Sequence, residues 1–231
     1  MREIVPVTAS SPRHGHDDDH AAHGPLRDDG GAAYWDDRYG GADQVWSGHP
    51  NSALVTEVAG LPPGRALDVG CGEGADAVWL AGQGWDVTAL DVSQVALDRA
   101  AVRARQAGVH VRWVHAGLVE APLSPGAFDL VSAQYPALRR TPTNEAEHVL
   151  LAAVSPGGLL LVVHHADIDG DHARHQGFDP ADYVQPSDVT ALLDADWHVE
   201  VYETRPRAVE GGAGAHHRLD TVLRARRLPE G

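Results

Sequence analysis

Apolar positions along this chain change period at regular intervals. RALDV (65–69) is a short apolar run closed by glycine, whereas ADAVWLAGQG (75–84) repeats apolar residues at helical spacing through Ala77, Val78, Leu80 and Ala81. WDVTALD (85–91) predicts a second strand, and Ser93 is placed to cap a helix reaching about Gln106, before Gly108. VHVRWVHA (109–116) and AFDLVSAQ (127–134) predict strands three and four, and a helix over 143–154 ends at SPGG (155–158). LLLVVHH (159–165) is apolar throughout its first part, as a central strand covered on both faces requires. After a helix near 186–195, WHVEVYE (197–203) and HHRLDTVLRAR (216–226) alternate with period two. GGAGA (211–215) leaves no room for a helix between them, so this pair should run antiparallel. The expectation is an α/β fold: a doubly wound, Rossmann-like, seven-stranded sheet, mostly parallel with the last strand antiparallel.

That pattern starts only near residue 34. Residues 1–33 carry HGHDDDHAAHG and DDGG, few large apolar groups and no period, and such composition buries too little surface to offset the entropy of ordering. The chain thus divides into a flexible His/Asp-rich tail (1–33) and one domain (34–231). Composition narrows the chemistry. All 18 basic residues are arginine, so mechanisms that need a lysine amine drop out, and a net charge of −15 disfavours a nucleic-acid partner. A single cysteine fits a reducing, cytoplasmic setting, and no apolar run reaches the length of a membrane span.

The strongest motif lies in the first turn. ALDVGCGEGADA (66–77) puts Asp68 at the end of strand one and Gly70, Gly72 and Gly74 before a helix, where a ligand can approach the backbone without meeting a Cβ. Asp91 ends strand two, where a carboxylate accepts both hydroxyls of a ribose. On glycine spacing alone a dinucleotide is equally accommodated. Asp68 decides between them, because an acid in that crevice repels a pyrophosphate and attracts the ammonium of an aminoacyl ligand.

DVGCGEG therefore resembles motif I of the class I S-adenosylmethionine-dependent methyltransferases, and the resemblance extends over most of 34–227. Within that superfamily, YWDDRYGGADQVWSGHPN (34–51) looks like the opening segment of the tellurite-resistance and thiopurine methyltransferase-like branch. The resemblance implies that S-adenosylmethionine is bound and S-adenosylhomocysteine released. It implies that Asp68, Gly70, Cys71 and Gly72 hold the methionine moiety, that Asp91 takes the ribose, and that Val92 lies beside the adenine. The family often places an acid after strand three for the adenine amino group. Here that position is Gly117, so either the backbone of Gly117 and Leu118 or the side chain of Glu120 takes the role. Gln134 would meet the methionine end, and Trp35, Arg38 and Trp46 would line a lid.

Fifteen histidines form the second signal. His164 and His165 end strand five, while His216 and His217 are expected to begin an antiparallel last strand, so both pairs should fall at the carboxyl edge where ligands bind. Alternation sends about one of each pair to the cavity. His165 and His217 are the candidate acid/base residues, with a divalent metal at this edge, or a solvated or capping role, as competing readings. The expected acceptor is a small molecule offering an oxygen, sulfur, nitrogen or chalcogen nucleophile, handled by a monomer or homodimer. Two other functions compete: a nucleotide-dependent oxidoreductase, and a non-enzymatic metal-binding or sensor protein.

Overall fold

The computed structural model describes residues 31–175, 179–208 and 211–229. Of the tail expected over 1–33, residues 1–30 lie outside the described residues, and Ala32 and Ala33 belong to the first helix. Seven strands, β1 (Arg65–Val69), β2 (Asp86–Asp91), β3 (Arg112–His115), β4 (Phe128–Gln134), β5 (Val154–His165), β6 (Trp197–Pro206) and β7 (Leu219–Arg227), form one sheet in the order β3-β2-β1-β4-β5-β7-β6. Every neighbouring pair from β3 to β5 is parallel, and β7 runs antiparallel between β5 and β6. Helices α1 (Ala32–Gly40), α2 (Ser52–Val58), α3 (Ala75–Gly82), α4 (Gln94–Ala107), α5 (Glu145–Ala153), α6 (Gly170–His175) and α7 (Pro186–Ala191) cover and connect the strands.

The apolar run of β5 sits at the centre for the reason its composition suggested. Leu160 and Val162 face a cluster with Leu67, Val69, Leu150, Val184 and Val189, while Leu161 and Val163 face one with Leu54, Val58, Leu80 and Val87. Alternate residues of one strand thus feed two cores, each fully buried aliphatic side chain contributing about 1.5–3 kcal/mol.

Most expected boundaries shift by a residue or a few. One shift matters for the site. The last strand begins at Leu219 and not at His216, because Gly211, Gly212 and Gly214 adopt positive φ and coil the chain into a compact loop closed by Arg207 N–H to Arg218 O. His216 and His217 therefore precede the strand, and strand alternation does not govern where their side chains go.

The glycine turn is fixed by packing as well as by conformation. Gly74 has φ +78°, and a Cβ there would lie 2.6 Å from Ala100 Cβ and 3.2 Å from its Cα on α4. Gly74→Ala is expected to destabilise the fold by roughly 2–4 kcal/mol, combining left-handed strain with overpacking. Chemical denaturation measures this, and a loss below about 0.5 kcal/mol, the range of an ordinary surface substitution, would contradict the close α3–α4 approach.

Candidate active site

A cavity of about 770 Å³ opens along the carboxyl edge of the sheet, from the β1–α3 turn across to the loop before β7. Its first half is built around the glycine turn. Gly70 N–H and Cys71 N–H donate to Leu90 O at 2.9 and 3.0 Å, which folds the turn onto β2. Asp91 accepts from Gly72 N–H at 2.8 Å and from Ser93 N–H at 2.9 Å, so its carboxylate is held in place with lone pairs left over. Gly72 has no space for a side chain: a Cβ would meet Tyr39 Oη at 2.8 Å and Trp46 Nε1 at 3.3 Å.

Those two aromatic residues belong to a segment strapped over the turn by acids. Glu73 accepts from Val45 N–H and Trp46 N–H and pairs with Arg99 at 2.9 Å. Asp76 accepts from Asn51 N–H and Asn51 Nδ2, each at 2.7 Å. Asp36 accepts from Ser93 Oγ at 2.6 Å and from Val95 N–H at 3.2 Å, tying α1 to the start of α4. Trp46 Nε1 donates to Tyr39 Oη at 2.8 Å and closes the roof.

Beneath that roof lie three buried carboxylates, Asp68, Asp76 and Asp91. Burial raises the pKa of each, and for Asp68 the neighbouring charges of Asp76 and Asp91 push further in the same direction, well above the ordinary carboxylate range. Burial, then Asp68 and Asp91, likewise push the Cys71 thiol up, which favours the thiol over the thiolate. Asp68 Oδ2 has no hydrogen-bond partner, and neither has Gln134 Oε1 at the end of β4. A buried acid with an orphaned oxygen and no cation suits a positively charged ligand. An aminoacyl sulfonium meets that requirement with its ammonium group, while the lone pairs left on Asp91 suit its ribose hydroxyls. At the adenine end, the volume that a Gly117 side chain would fill is taken by the Glu120 carboxylate, folded back by a turn in which Ala121 N–H donates to Gly117 O at 3.0 Å.

The second half of the cavity is built from β4, β5 and the loop before β7. Tyr135 has φ +51°, an unusual conformation for a bulky residue and one that accumulates at functional sites. Its ring stacks on His165 with centroids 4.2 Å apart, and His165 stacks on His217 at 4.1 Å. Tyr135 Oη donates to Asp220 at 2.7 Å and accepts from Arg207 Nε at 3.0 Å. His165 Nδ1 lies 3.4 Å from Asp220 Oδ1, and His217 Nδ1 lies 3.1 Å from Asp167 Oδ1. His164 also borders the cavity, with an unpartnered Nε2 and a pKa that burial pushes down to about 4.

Trp35, Trp46, Asp68, Gly70, Cys71, Gly72, Asp91, Val92, Gly117, Leu118, Gln134, His165 and His217 all line this one cavity. Arg38 does not. Its guanidinium packs behind the wall, 5.6 Å from the Trp35 ring centre and 5.5 Å from that of Trp46, and donates to Tyr34 Oη. Among the described residues no group of three His, Cys, Asp or Glu side chains is placed to hold a metal ion, so the divalent metal expected at the histidine edge finds no site there. Sequence reasoning missed Tyr39, Tyr135, Arg207 and Asp220. Only Asp220 carried a local signal, as an acid three residues after His217 in an otherwise apolar and basic strand.

Comparison with known proteins agrees with this architecture. Residues 66–158 match the family described as "Methyltransferase domain". An uncharacterized methyltransferase of Mycobacterium tuberculosis is 36% identical over 122 residues, 52% of this chain and 61% of that protein. This chain thus spans about six-tenths of the length of that curated relative. Among solved structures, one described as "Conversion of a Disulfide Bond into a Thioacetal Group during Echinomycin Biosynthesis" superposes with a TM-score of 0.69 at 23% identity, covering 87% of this chain and 93% of its own. Magnesium protoporphyrin IX methyltransferase from Synechocystis PCC 6803, solved with bound SAH, gives 0.56 at 21% identity, covering 76% and 80%. At these identities the likeness is one of fold.

Proposed function

We propose that this chain, whose residues 66–158 match the family described as "Methyltransferase domain", is a class I S-adenosylmethionine-dependent methyltransferase that transfers a methyl group to a small-molecule acceptor held in the same cavity. The observation that carries the reading is the buried, cation-free Asp68 beside the Gly70–Gly72 turn, with Asp91 across from it. Among the described residues the crevice offers a dinucleotide pyrophosphate three buried carboxyl groups and no cation, which disfavours the oxidoreductase alternative.

When bound, the cofactor supplies an electrophilic methyl on sulfur, displaced in line by the acceptor's lone pair while the carbon–sulfur pair leaves with sulfur as S-adenosylhomocysteine. The chain's own contribution is chiefly positioning. Asp68 fixes the ammonium, Asp91 the ribose hydroxyls, and Glu120 the adenine amino group, while Trp35, Trp46 and Tyr39 exclude water from above. Removal of the acceptor's proton falls to His165 and His217 on the opposite wall. The 34–51 segment, with its Glu73, Asp76 and Asp36 anchors, supports a place in the tellurite-resistance and thiopurine methyltransferase-like branch. The single cysteine supports a cytoplasmic protein and the net charge of −15 one without a nucleic-acid partner.

The deciding experiment is twofold. S-adenosylhomocysteine should raise the melting temperature where NADH and NADPH do not, and labelled S-adenosylmethionine should pass its methyl to compounds in an acceptor screen. Stabilisation by a nicotinamide cofactor alone would reverse the reading. Within the site, Glu120→Ala should weaken S-adenosylhomocysteine binding by about two- to tenfold, the value of one hydrogen bond. Unchanged affinity by calorimetry would return adenine recognition to the Gly117–Leu118 backbone.

A further inference from the structure

Resting on the reading that the glycine-turn half of the cavity holds S-adenosylmethionine, we propose that the acceptor is an uncharged molecule bearing a hydroxyl group, methylated on oxygen as its proton passes to His165, with Asp220 as the positioning residue.

His165 is held on both ring faces and at one ring nitrogen. It lies between Tyr135 and His217, with interplanar angles of 25° and 20°, so it cannot tilt without breaking both stacks. Its Nδ1 faces Asp220, which is itself buried and also accepts the Tyr135 hydroxyl. A carboxylate at Nδ1 selects the tautomer with its proton there and leaves Nε2 as a lone-pair acceptor. Among the described residues the ring's hydrogen-bond contact is the one at Nδ1, and Nε2 lies beside Gly214, where a Cβ would come to 3.5 Å. Asp167 repeats the arrangement at His217.

A held base has a use only for a nucleophile that arrives protonated. A carbanion or a soft chalcogen anion has no proton to give it. Charge disfavours a further class. Arg207 is already committed to the Tyr135 hydroxyl, Gly214 O and Asp220, Arg139 is paired with Asp182 at 3.3 Å, and His164 is held neutral by burial, so an anionic acceptor meets the carboxylates of Asp167 and Asp220 beside cations that are already paired. A protonated amine has no lone pair to offer, and once free it attacks without a base. A neutral hydroxyl gains most from a held base, since a thiol ionises near ~8.5 in water and a hydroxyl only well above that. Its carrier meets both apolar and polar wall, since Pro136, Leu138, Ile168 and Tyr183 line the cavity together with Thr141 and Gln185. At about 770 Å³ the cavity stands high in the ~300–1,000 Å³ span of small-molecule sites, leaving room for an acceptor beside the cofactor. In the transfer, an oxygen lone pair forms the new C–O bond, the C–S pair leaves on sulfur, and the O–H proton goes to His165 Nε2. Asp220 balances the imidazolium until the proton passes to water.

The test uses the full chain with saturating labelled S-adenosylmethionine and matched probes: 2-naphthol with a size series of neutral alcohols and phenols, 2-naphthoate, and 2-naphthylmethylamine. Label is expected on the oxygen of hydroxyl compounds, with the carboxylate and the amine taking up at least about tenfold less. Asp220→Asn should lower kcat on the best hydroxyl acceptor by about ten- to a hundredfold, leaving KM and S-adenosylhomocysteine affinity unchanged, and Asp220→Glu should restore part of it. Nitrogen-15 spectra should find the His165 proton on Nδ1 in the wild type and on Nε2 in Asp220→Asn, a change that a merely structural Asp220 would not produce. Equal or better methylation of the carboxylate or the amine, no label on any hydroxyl compound, or a wild-type proton on Nε2 would each overturn the proposal. S-adenosylhomocysteine calorimetry reads the cofactor assignment separately: no binding overturns that assignment, whereas binding without hydroxyl methylation overturns this one.

Discussion

Asp68→Ala should weaken S-adenosylmethionine binding by about ten- to a hundredfold, the ~1.5–3 kcal/mol of a hydrogen bond to a charged group. Because Asp68 is buried, shares its crevice with Asp76 and Asp91, and has an oxygen without a partner, its ionised form is costly until a cation arrives. Two consequences carry opposite signs. In the ligand-free protein the folded-state pKa of Asp68 lies above its unfolded value, so the native state holds the extra proton. The contribution of Asp68 to stability should therefore be fullest below about 3.9, the ordinary aspartate value, and be lost as pH rises through the raised pKa. In the complex the ammonium favours the carboxylate, so binding expels that proton. Calorimetry in two buffers of different ionisation enthalpy should register proton release for the wild type and less for Asp68→Asn. Equal affinities for the wild type and Asp68→Ala would remove the ammonium contact from this site.

The half of the cavity around Asp68 was legible in the sequence because a single stretch of chain builds it. Asp68, Gly70, Cys71 and Gly72 are consecutive or nearly so, and Asp91 follows one βα unit later, so strand–turn–strand order alone brings them together. Their straps were not legible, since Glu73, Asp76 and Asp36 act on backbone amides far along the chain or across helices. Glu120 escaped a definite reading because a turn reverses the chain between it and Gly117.

The other half needs three strand ends to converge. Tyr135 follows β4, His165 ends β5, and Asp220 opens β7 one residue after that strand starts. HHRLD continues the alternation of the strand behind it, so the pattern places the strand start three residues early. The glycine loop before it, whose left-handed turns consume residues without advancing the strand, sets the true start. The same loop also lets both His216 and His217 border the cavity, where strand alternation would have sent one of them away.

That convergence gives His165→Asn the largest expected effect on turnover. Losing a general base costs about 10²–10⁴ in rate, and the loss should appear in kcat with the proper acceptor while S-adenosylhomocysteine affinity stays within about twofold. The separation follows from position: His165 stands with Tyr135 and Asp220 at the β5–β7 end, whereas the cofactor's contacts lie over β1 and β2. His217→Asn should lower kcat less, since His217 supports the His165 ring by stacking and is itself anchored by Asp167. Burial, then the neighbouring His165 and His216, lower the His217 pKa, so this ring stays uncharged at neutral pH and gains a proton only as the medium becomes acidic. Activity that depends on it should decline on the acid side and not on the alkaline side. A chelator should leave the wild-type rate unchanged. If chelation abolished turnover and added metal restored it, the histidines would be ligands. If both variants kept full activity, the acceptor's proton would leave by another route and positioning alone would carry the reaction.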